Sequence, residues 1–286
     1  MTLSLTVWDV QHGSASHIRT PNGRDVVIDL GTGRANGYGR EFSPLRHLRA
    51  NYGVSYIDKL IITHPHRDHL DDIGQFDAMS PRVLERPTHL TAVDIRGGNR
   101  AIDTSIINQY LEINARYTAP LSPGQDPAIP ENNGGAQIVT FHPTQCARDN
   151  LNNHSIVTFV EYANSTILVP GDNEAASWRE LLQDPVFRMW LKKVDILVAP
   201  HHGREAGYCP DLFGLCSPYL VIVSDGPETD TNAADRYHRH AKGWRVSSRS
   251  QYTTQKRWVL TTRCDGVIHV ELSWSGSTPV MNVSFN

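Results

Sequence analysis

The sequence has no long apolar stretch and few cysteines, and each shortage argues against a class of protein. No window approaches the roughly 18 uninterrupted apolar residues that a membrane-spanning helix needs, so no membrane contact is expected. The four cysteines, Cys146, Cys209, Cys216 and Cys264, are widely spaced and form no CxxC pair. This spacing argues against a disulfide framework or a structural zinc knuckle, and it is typical of a protein in the reducing cytoplasm.

Neither sign of charge dominates the chain. Lys and Arg number 27 and Asp and Glu number 30, a formal net charge of −3 that argues against attraction of the whole surface to DNA or anionic membrane. The segment Met1–Val7 carries no basic residue and alternates in part between apolar and polar side chains. This pattern predicts a strand rather than a signal peptide.

Histidine is abundant, with 14 residues. Three of them lie with one carboxylate directly after the apolar run Leu60–Ile62, as His64, His66, Asp68 and His69. Side chains two residues apart in an extended segment face the same way, so His64 and His66 can bind one ion. Asp68 and His69, where the chain turns, can reach toward a second ion. Mixed nitrogen and oxygen donors suit zinc, and we prefer a metal site here to a histidine-rich surface turn.

Strand patterns recur along the whole chain, with helical patterns between them. The predicted strands cover residues 3–8, 16–19, 25–30, 59–63, 137–141, 156–162, 165–170, 194–199, 219–224, 257–262 and 267–272. The predicted helices cover residues 44–52, 102–117, 174–182 and 233–241. No linker or internal repeat divides the chain. We therefore predict a single domain, residues 1–286, of α/β (α+β) class, with two mixed β-sheets packed face to face and helices outside.

Three motifs in a fixed order carry a resemblance to a known family: His64-x-His66-x-Asp68-His69, then Gly171-Asp172, then His201-His202-Gly203. The set resembles the metallo-β-lactamase fold superfamily, an αββα four-layer sandwich with a metal site at one edge, and the likeness covers nearly the whole chain. Within it the chain is most similar to the hydrolase domain of ComEC-type competence proteins. That closer likeness lies in the segments Val7–Gly13, Val27–Gly31, Asn152–Val157, Val198–Gly203 and Thr261–Ile268.

The chain departs from that branch at several points. Ser14 stands where an acidic residue is usual, and Asp71-Asp72-Ile73-Gly74 stands where Gly-Gly often follows the histidine motif. The membrane segments of competence channels are not in the sequence. We therefore carry over the hydrolase chemistry and not DNA uptake.

The resemblance implies a set of metal ligands, residue by residue. His64 and His66 would bind a first ion, and Asp68 and His69 a second. Asp172 would bridge both, because two nearby dications repel and need shared negative charge between them. The alternative role for Asp172 is the N-cap of the helix that follows it. Asp68 and Asp172 are the expected catalytic carboxylates.

The remaining ligands are less determined by the resemblance. Adjacent strand residues face opposite sides, so one of His201 and His202 would complete the second ion. We prefer His201, which leaves His202 to face the substrate or lie behind the ligands. His154 lies in the stretch that would supply the third ligand of the first ion, with Asn152 or Asn153 as alternatives.

The implied cofactor is a pair of divalent ions, zinc first, with manganese or iron as alternatives. Two ions about 3.5–4 Å apart lower the pKa of a shared water, which would attack a carbonyl carbon or a phosphorus atom. We find no GxSxG motif and expect no serine nucleophile. Asp9 and Asp29 are candidates to support the ligands or to be buried structural carboxylates, and His12 is a candidate to face the site.

The substrate is suggested by the stretch Arg236–Arg263, which has eight basic residues and no Asp or Glu. Aromatic residues are interleaved with them. Basic groups hold phosphates and aromatic faces stack bases, although such a stretch can also be a solvated face or contact an acidic partner. The candidate substrate-binding residues are Arg236, His238, His240 and Lys242.

These observations predict a metal-dependent phosphodiesterase or nuclease that acts on nucleic acid or nucleotides. Two alternatives stay open. The first is a hydrolase of carbonyl substrates such as lactones, thioesters or β-lactams. The second is a binding or regulatory subunit of a larger assembly.

Overall fold

The computed structural model describes residues 1–33, 42–227 and 230–286. The strands in these residues are β1 (Thr2–Val7), β2 (Ser16–Arg19), β3 (Asp25–Ile28), β4 (Lys59–Ile61), β5 (Val83–Glu85), β6 (Gln137–Phe141), β7 (Val157–Tyr162), β8 (Ser165–Val169), β9 (Val194–Val198), β10 (Leu220–Val223), β11 (Trp244–Ser248), β12 (Thr253–Arg257), β13 (Val259–Thr261), β14 (Ile268–Ser275) and β15 (Thr278–Phe285). The helices are α1 (Pro44–Tyr52), α2 (Phe76–Met79), α3 (Ala92–Gly97), α4 (Thr104–Arg116), α5 (Ala175–Leu181), α6 (Pro185–Leu191), α7 (Ala234–His238) and α8 (Thr262–Asp265).

The strands form two mixed sheets. One has nine strands in the order β12-β11-β15-β14-β1-β2-β3-β4-β5, and the other has six in the order β13-β10-β9-β8-β7-β6. Parallel pairing joins β3, β4 and β5 in the first sheet. It joins β8, β9, β10 and β13 in the second sheet. The predicted architecture of two mixed sheets flanked by helices is confirmed.

Three apolar clusters show how the layers stack. The first lies between the sheets and joins side chains such as Leu5 and Ile18 to Ile167 and Ile196. The second covers the outer face of the nine-stranded sheet with α1 and α4. The third covers the outer face of the six-stranded sheet with α5 and α6. Every residue of β3 and of β10 is buried, because both faces of the sheets are covered there. β14, next to the central strand β1, alternates between buried and more exposed residues instead.

Parallel strands bring the chemistry-bearing loops to one edge of each sheet. β3 and β4 are parallel neighbours, so Asp29 and the segment from Thr63 to His69 leave the nine-stranded sheet at the same end. β8 and β9 are also parallel, so Asp172 and the pair His201-His202 leave the six-stranded sheet together. Sites in α/β sheets commonly lie beyond the carboxyl ends of strands. Across the described ranges, no helix combines the length and apolarity that a bilayer crossing requires.

Candidate metal centre

Four side chains from three loops converge at this edge: Asp68, His69, Asp172 and His202. Each places one potential ligand atom within 4.8 Å of those of the other three. Nε2 of His69 lies 3.3 Å from Oδ1 of Asp172. Nε2 of His202 lies 3.2 Å from Oδ2 of Asp68 and 3.3 Å from Oδ2 of Asp172. Two nitrogen and two oxygen donors therefore surround one small volume.

The two imidazoles approach the carboxylates without hydrogen-bonding to them. Nε2 of His69 and Nε2 of His202 are buried, and neither makes a hydrogen bond with any described residue, although carboxylate oxygens lie within ion-pair distance. A buried polar atom left without a partner costs about 1–3 kcal/mol. Imidazole nitrogens that lie close to carboxylates but are misaligned for hydrogen bonding are expected where the lone pair of each nitrogen points at a common ion. The donor set therefore fits a divalent metal such as zinc.

The far side of each imidazole is fixed by the protein. Nδ1 of His69 donates to Oδ2 of the fully buried Asp29 at 2.7 Å. Asp29 also accepts from the backbone N–H of Thr63 at 2.8 Å. Nδ1 of His202 donates to the carbonyl oxygen of Ser224 at 3.1 Å. With the proton held at Nδ1, Nε2 is left as the metal-binding atom of both rings. Asp29 thus contacts a candidate ligand, and the sequence had left open whether it supports a ligand or is a buried structural carboxylate.

The carboxylates of Asp68 and Asp172 favour positive charge on the groups beside them. Burial by itself would lower the pKa of His202, but Asp172 and Asp68 outweigh it and raise that pKa to about 10. Burial would also lower the pKa of His69, but Asp172, Asp29 and Asp68 hold that pKa well above its usual range. Burial would raise the pKa of Asp172, yet His202 and His69 keep it well below the ordinary value. Without metal, protonated imidazoles supply the compensating charge.

His64 and His66 form a second pair beside this cluster. Nε2 of His64 lies 2.9 Å from Nδ1 of His66, and the rings of His64 and His69 are 4.2 Å apart between centroids. Burial, followed by the charge of His69, lowers the pKa of His64 well below its usual value. Burial also lowers the pKa of His66. Neutral imidazole is the metal-binding form, so both residues are suited to the role of ligand.

His154 lies apart from this pair. Its Nδ1 is 2.9 Å from Nε2 of His89, and its Nε2 is 3.2 Å from the carbonyl oxygen of Ala147. The side chain is fully buried with both nitrogens engaged. This placement does not match the predicted role as third ligand of the first ion.

The neighbouring asparagines divide into two roles. Oδ1 of Asn153 accepts from the backbone N–H of Glu174 at 3.3 Å and from Ser177 N–H at 3.2 Å. Asn153 therefore caps α5, which was the alternative role considered for Asp172. The prediction that Asn153 faces the site does not match this placement. Asn152 does face the site, and its buried Oδ1 has no partner in the described part of the chain.

The structure places His202, not His201, among the donors. His201 instead lies with Nδ1 3.2 Å from Oε1 of Glu174, and its side chain is 20% exposed. Only one of the two adjacent rings lies among the donors, as expected if adjacent residues face opposite sides. However, both residues have left-handed φ angles, 50° and 53°, and lie in a tight turn. Strand alternation therefore could not tell which ring faces the ions, and the preference for His201 is corrected to His202.

This correction gives a prediction that compares two adjacent histidines. We expect His202→Ala to lower the content of tightly bound zinc by about one ion per chain, because it removes a donor from the four-residue cluster. We expect His201→Ala to keep the wild-type content. Elemental analysis after dialysis against zinc-free buffer measures both. The reverse result would restore His201 as the ligand.

A cavity of about 320 Å³ opens over the cluster. The residues that line it are His12, His66, Arg67, Asp68, Gly98, Asn99, Arg100, Asp103, Asn152, Asp172 and His201. The ring centroid of His12 lies 4.9 Å from that of His202, as expected for a residue facing the site. Burial, followed by the charge of His202, lowers the pKa of His12 to about 4. His12 is therefore a neutral hydrogen-bonding group at neutral pH.

The basic C-terminal residues do not line this cavity. Arg236 pairs with Glu205 and lies over the ring of Tyr208. The other contacts are His240 Nε2 with the Tyr208 hydroxyl at 2.7 Å, the His238 ring 5.1 Å from that of Trp258, and Lys242 Nζ 4.7 Å from the ring centroid of Tyr219. Arg67 and Arg100 are the arginines in the cavity, and the sequence analysis missed both. Arg67 could have been found, because it lies inside the histidine motif.

Comparisons with known proteins found similarity at low sequence identity. No family model matches the chain. Recombination protein 2 of Haemophilus influenzae is 25% identical over 225 residues, which cover 79% of this chain but 24% of that protein. The chain thus spans about a quarter of the length of this relative.

Several solved structures are similar to this chain at low sequence identity. A proposed metal-dependent hydrolase from Parabacteroides distasonis is 15% identical, with a TM-score of 0.43, over 82% of this chain and 86% of that one. Human tRNase Z, short form, is 13% identical, with a TM-score of 0.39, over 80% and 95%. A metallo-β-lactamase from Cronobacter sakazakii is 17% identical, with a TM-score of 0.38, over 67% and 73%. The two mixed sheets, the helices outside them and the ordered histidine and aspartate motifs at their edge match the architecture expected from the resemblance to the metallo-β-lactamase fold superfamily.

Proposed function

We propose that the chain is a metal-dependent phosphodiesterase or nuclease that uses two divalent ions. One observation carries the metal chemistry. Nε2 of His69 and Nε2 of His202 are buried, have no hydrogen bond within the described residues and face Asp68 and Asp172. A divalent ion would satisfy both buried nitrogens at once, and no described residue does so.

The residues divide between two ions as follows. Asp68, His69 and His202 would hold one ion, and His64 and His66 the other, with Asp172 shared between them. Bound divalent ions lower the pKa of water toward neutrality and stabilise negative charge on substrate oxygens. His12 and Asn152 face the cavity and can orient a substrate by hydrogen bonding. Zinc suits the donor set best, and manganese is the second choice.

The lining of the cavity supports a phosphodiester over a carbonyl substrate. Pockets for small organic ligands are mostly apolar with few polar groups. This cavity is instead lined by charged, amide and imidazole side chains, including Arg67 and Arg100. The name of the relative from Haemophilus influenzae connects that protein with recombination, which supports a nucleic-acid substrate for this chain.

A substrate panel tests the proposal. We expect protein with measured zinc content to hydrolyse bis(p-nitrophenyl) phosphate and short single-stranded DNA or RNA, and to lose this activity after chelation. Turnover only of lactone, thioester or β-lactam substrates would contradict the phosphodiester assignment while leaving the metal site intact. Well under one ion per chain after loading, together with no turnover, would instead favour a binding or regulatory subunit.

A further inference from the structure

Two arginines in the cavity share one buried carboxylate. Nη1 of Arg67 donates to Oδ1 of Asp103 at 3.2 Å, and Nε of Arg100 donates to Oδ2 of the same residue at 2.9 Å. Nε of Arg67 also donates to Oδ1 of Asp71 at 3.0 Å. The carboxyl groups of Asp103 and Asp71 are 3% and 2% exposed, whereas the side chain of Arg100 is 68% exposed. The carboxylates thus lie behind the guanidinium groups.

Each guanidinium keeps unused donors. Among the described residues, no hydrogen bond is made by Nη2 of Arg67 or by Nη1 of Arg100. Both side chains line the cavity that also contains Asp68 and Asp172. Arg67, Arg100, Asp68 and Asp172 together carry no net charge. What the two arginines offer to a ligand is therefore the fixed direction of their N–H groups.

Asp103 lies in the short 3₁₀ turn Ala101–Asp103 that leads directly into α4. Arg100, with an extended backbone, is the residue before that turn. The Asp103 side chain makes no capping hydrogen bond to the described helix. Its oxygens accept from Arg67 and Arg100 instead. The start of this helical segment therefore places one carboxylate between the two guanidinium groups.

We propose that Arg67 and Arg100, positioned by Asp103, form a phosphate subsite that binds a non-bridging phosphate oxygen of the substrate beside the metal centre. The inference rests on the proposed function and names its substrate class, a nucleic-acid phosphodiester. A rigid guanidinium fork matches the geometry of phosphate oxygens, and Lys does not reproduce it. Because Asp103 pairs with both guanidinium groups before the substrate arrives, less side-chain entropy is lost on binding than with unpaired arginines.

Arg100 is the residue to test, because Arg67 adjoins Asp68 and its removal would disturb the metal cluster. The probes are a dithymidine phosphorothioate, which is anionic, and the matching methylphosphonate, which is neutral. Zinc-loaded wild-type protein and Arg100→Ala are titrated with each probe by calorimetry. We expect the substitution to weaken phosphorothioate binding roughly tenfold and methylphosphonate binding less than about twofold. Arg100→Lys should recover only part of the loss.

Arg96→Ala is the matched control. Arg96 is exposed on α3, contacts Asn108 and does not line the cavity. It should change neither affinity. Thermal unfolding of each variant separates binding from stability, because an arginine that only ties loops together would change the melting temperature and weaken both probes equally.

The outcomes separate the two proposals. An equal loss for both probes, or no phosphorothioate binding by wild type, overturns the subsite. A selective loss in a protein that cleaves no phosphodiester supports the subsite and contradicts the proposed hydrolysis. Cleavage of phosphodiesters without a selective loss supports the hydrolysis and contradicts the subsite.

Discussion

Asp172→Asn is expected to lower phosphodiester hydrolysis about a thousandfold, the largest loss of activity that we predict for one substitution. Asp172 lies 3.3 Å from Nε2 of His69 through Oδ1 and 3.3 Å from Nε2 of His202 through Oδ2. Asparagine preserves size but removes the negative charge that holds the ions. Steady-state kinetics with bis(p-nitrophenyl) phosphate and elemental analysis of the same preparation measure the result.

Asp195→Asn is the control for this change. Asp195 lies on β9, accepts from the backbone N–H of Thr166 at 2.9 Å and does not line the cavity. It should retain activity within about twofold and wild-type metal content, as a substitution away from the site does. Unchanged metal content and turnover in Asp172→Asn would contradict the assignment of Asp172 as a shared ligand.

Asp29→Ala is expected to have the largest effect on stability. The side chain is fully buried and accepts from Nδ1 of His69 at 2.7 Å, from Thr63 N–H at 2.8 Å and from the Thr63 hydroxyl at 2.8 Å. Removing one partner of a buried charged network typically costs about 3–5 kcal/mol. We expect a loss of that order in the free energy of unfolding of metal-free protein, measured with urea.

The same substitution should also weaken zinc binding, by roughly 10- to 100-fold, because His69 loses the acceptor that orients its ring. Asp9→Ala is the comparison, since Asp9 is a half-buried carboxylate near the same loops that contacts Gln11. It should cost about 1 kcal/mol or less, the usual value of such a hydrogen bond. Equal effects of the two substitutions would show that Asp29 is an ordinary structural aspartate.

Several strands were not predicted because their sequences lack the usual apolar signal. β12 is Thr-Thr-Gln-Lys-Arg and is almost wholly exposed at the sheet edge. β15 contains Pro279 and alternates weakly, and it forms by antiparallel pairing with β14 over eight residues. Such strands are stabilised by the neighbour that they pair with, which local sequence does not reveal. The buried strands of both sheets were predicted because their runs are apolar.

The basic stretch shows how tertiary pairing changes the meaning of charge. No Asp or Glu falls between its first and last basic residues, Arg236 and Arg263. In the folded chain Arg257 pairs with Asp265, Arg263 with Asp225 and Arg236 with Glu205. The acidic partners lie outside the stretch, so counting charge along the chain overestimated its free positive charge. Arg67 and Arg100 are too far apart in sequence to form a basic cluster, yet both contact Asp103 at the cavity.

The sequence by itself predicted a metal site built from histidine and aspartate motifs in a fixed order along the chain. The spacing of His64, His66, Asp68 and His69 after an apolar strand needs no long-range contact to suggest a metal site. The tertiary structure decided which of the later donors reach it. The left-handed turn at His201 and His202 brings the second ring to Asp68 and Asp172. Contacts with His89 and Ala147 hold His154 away, because competition for a side chain's hydrogen bonds is settled only by its neighbours in the fold.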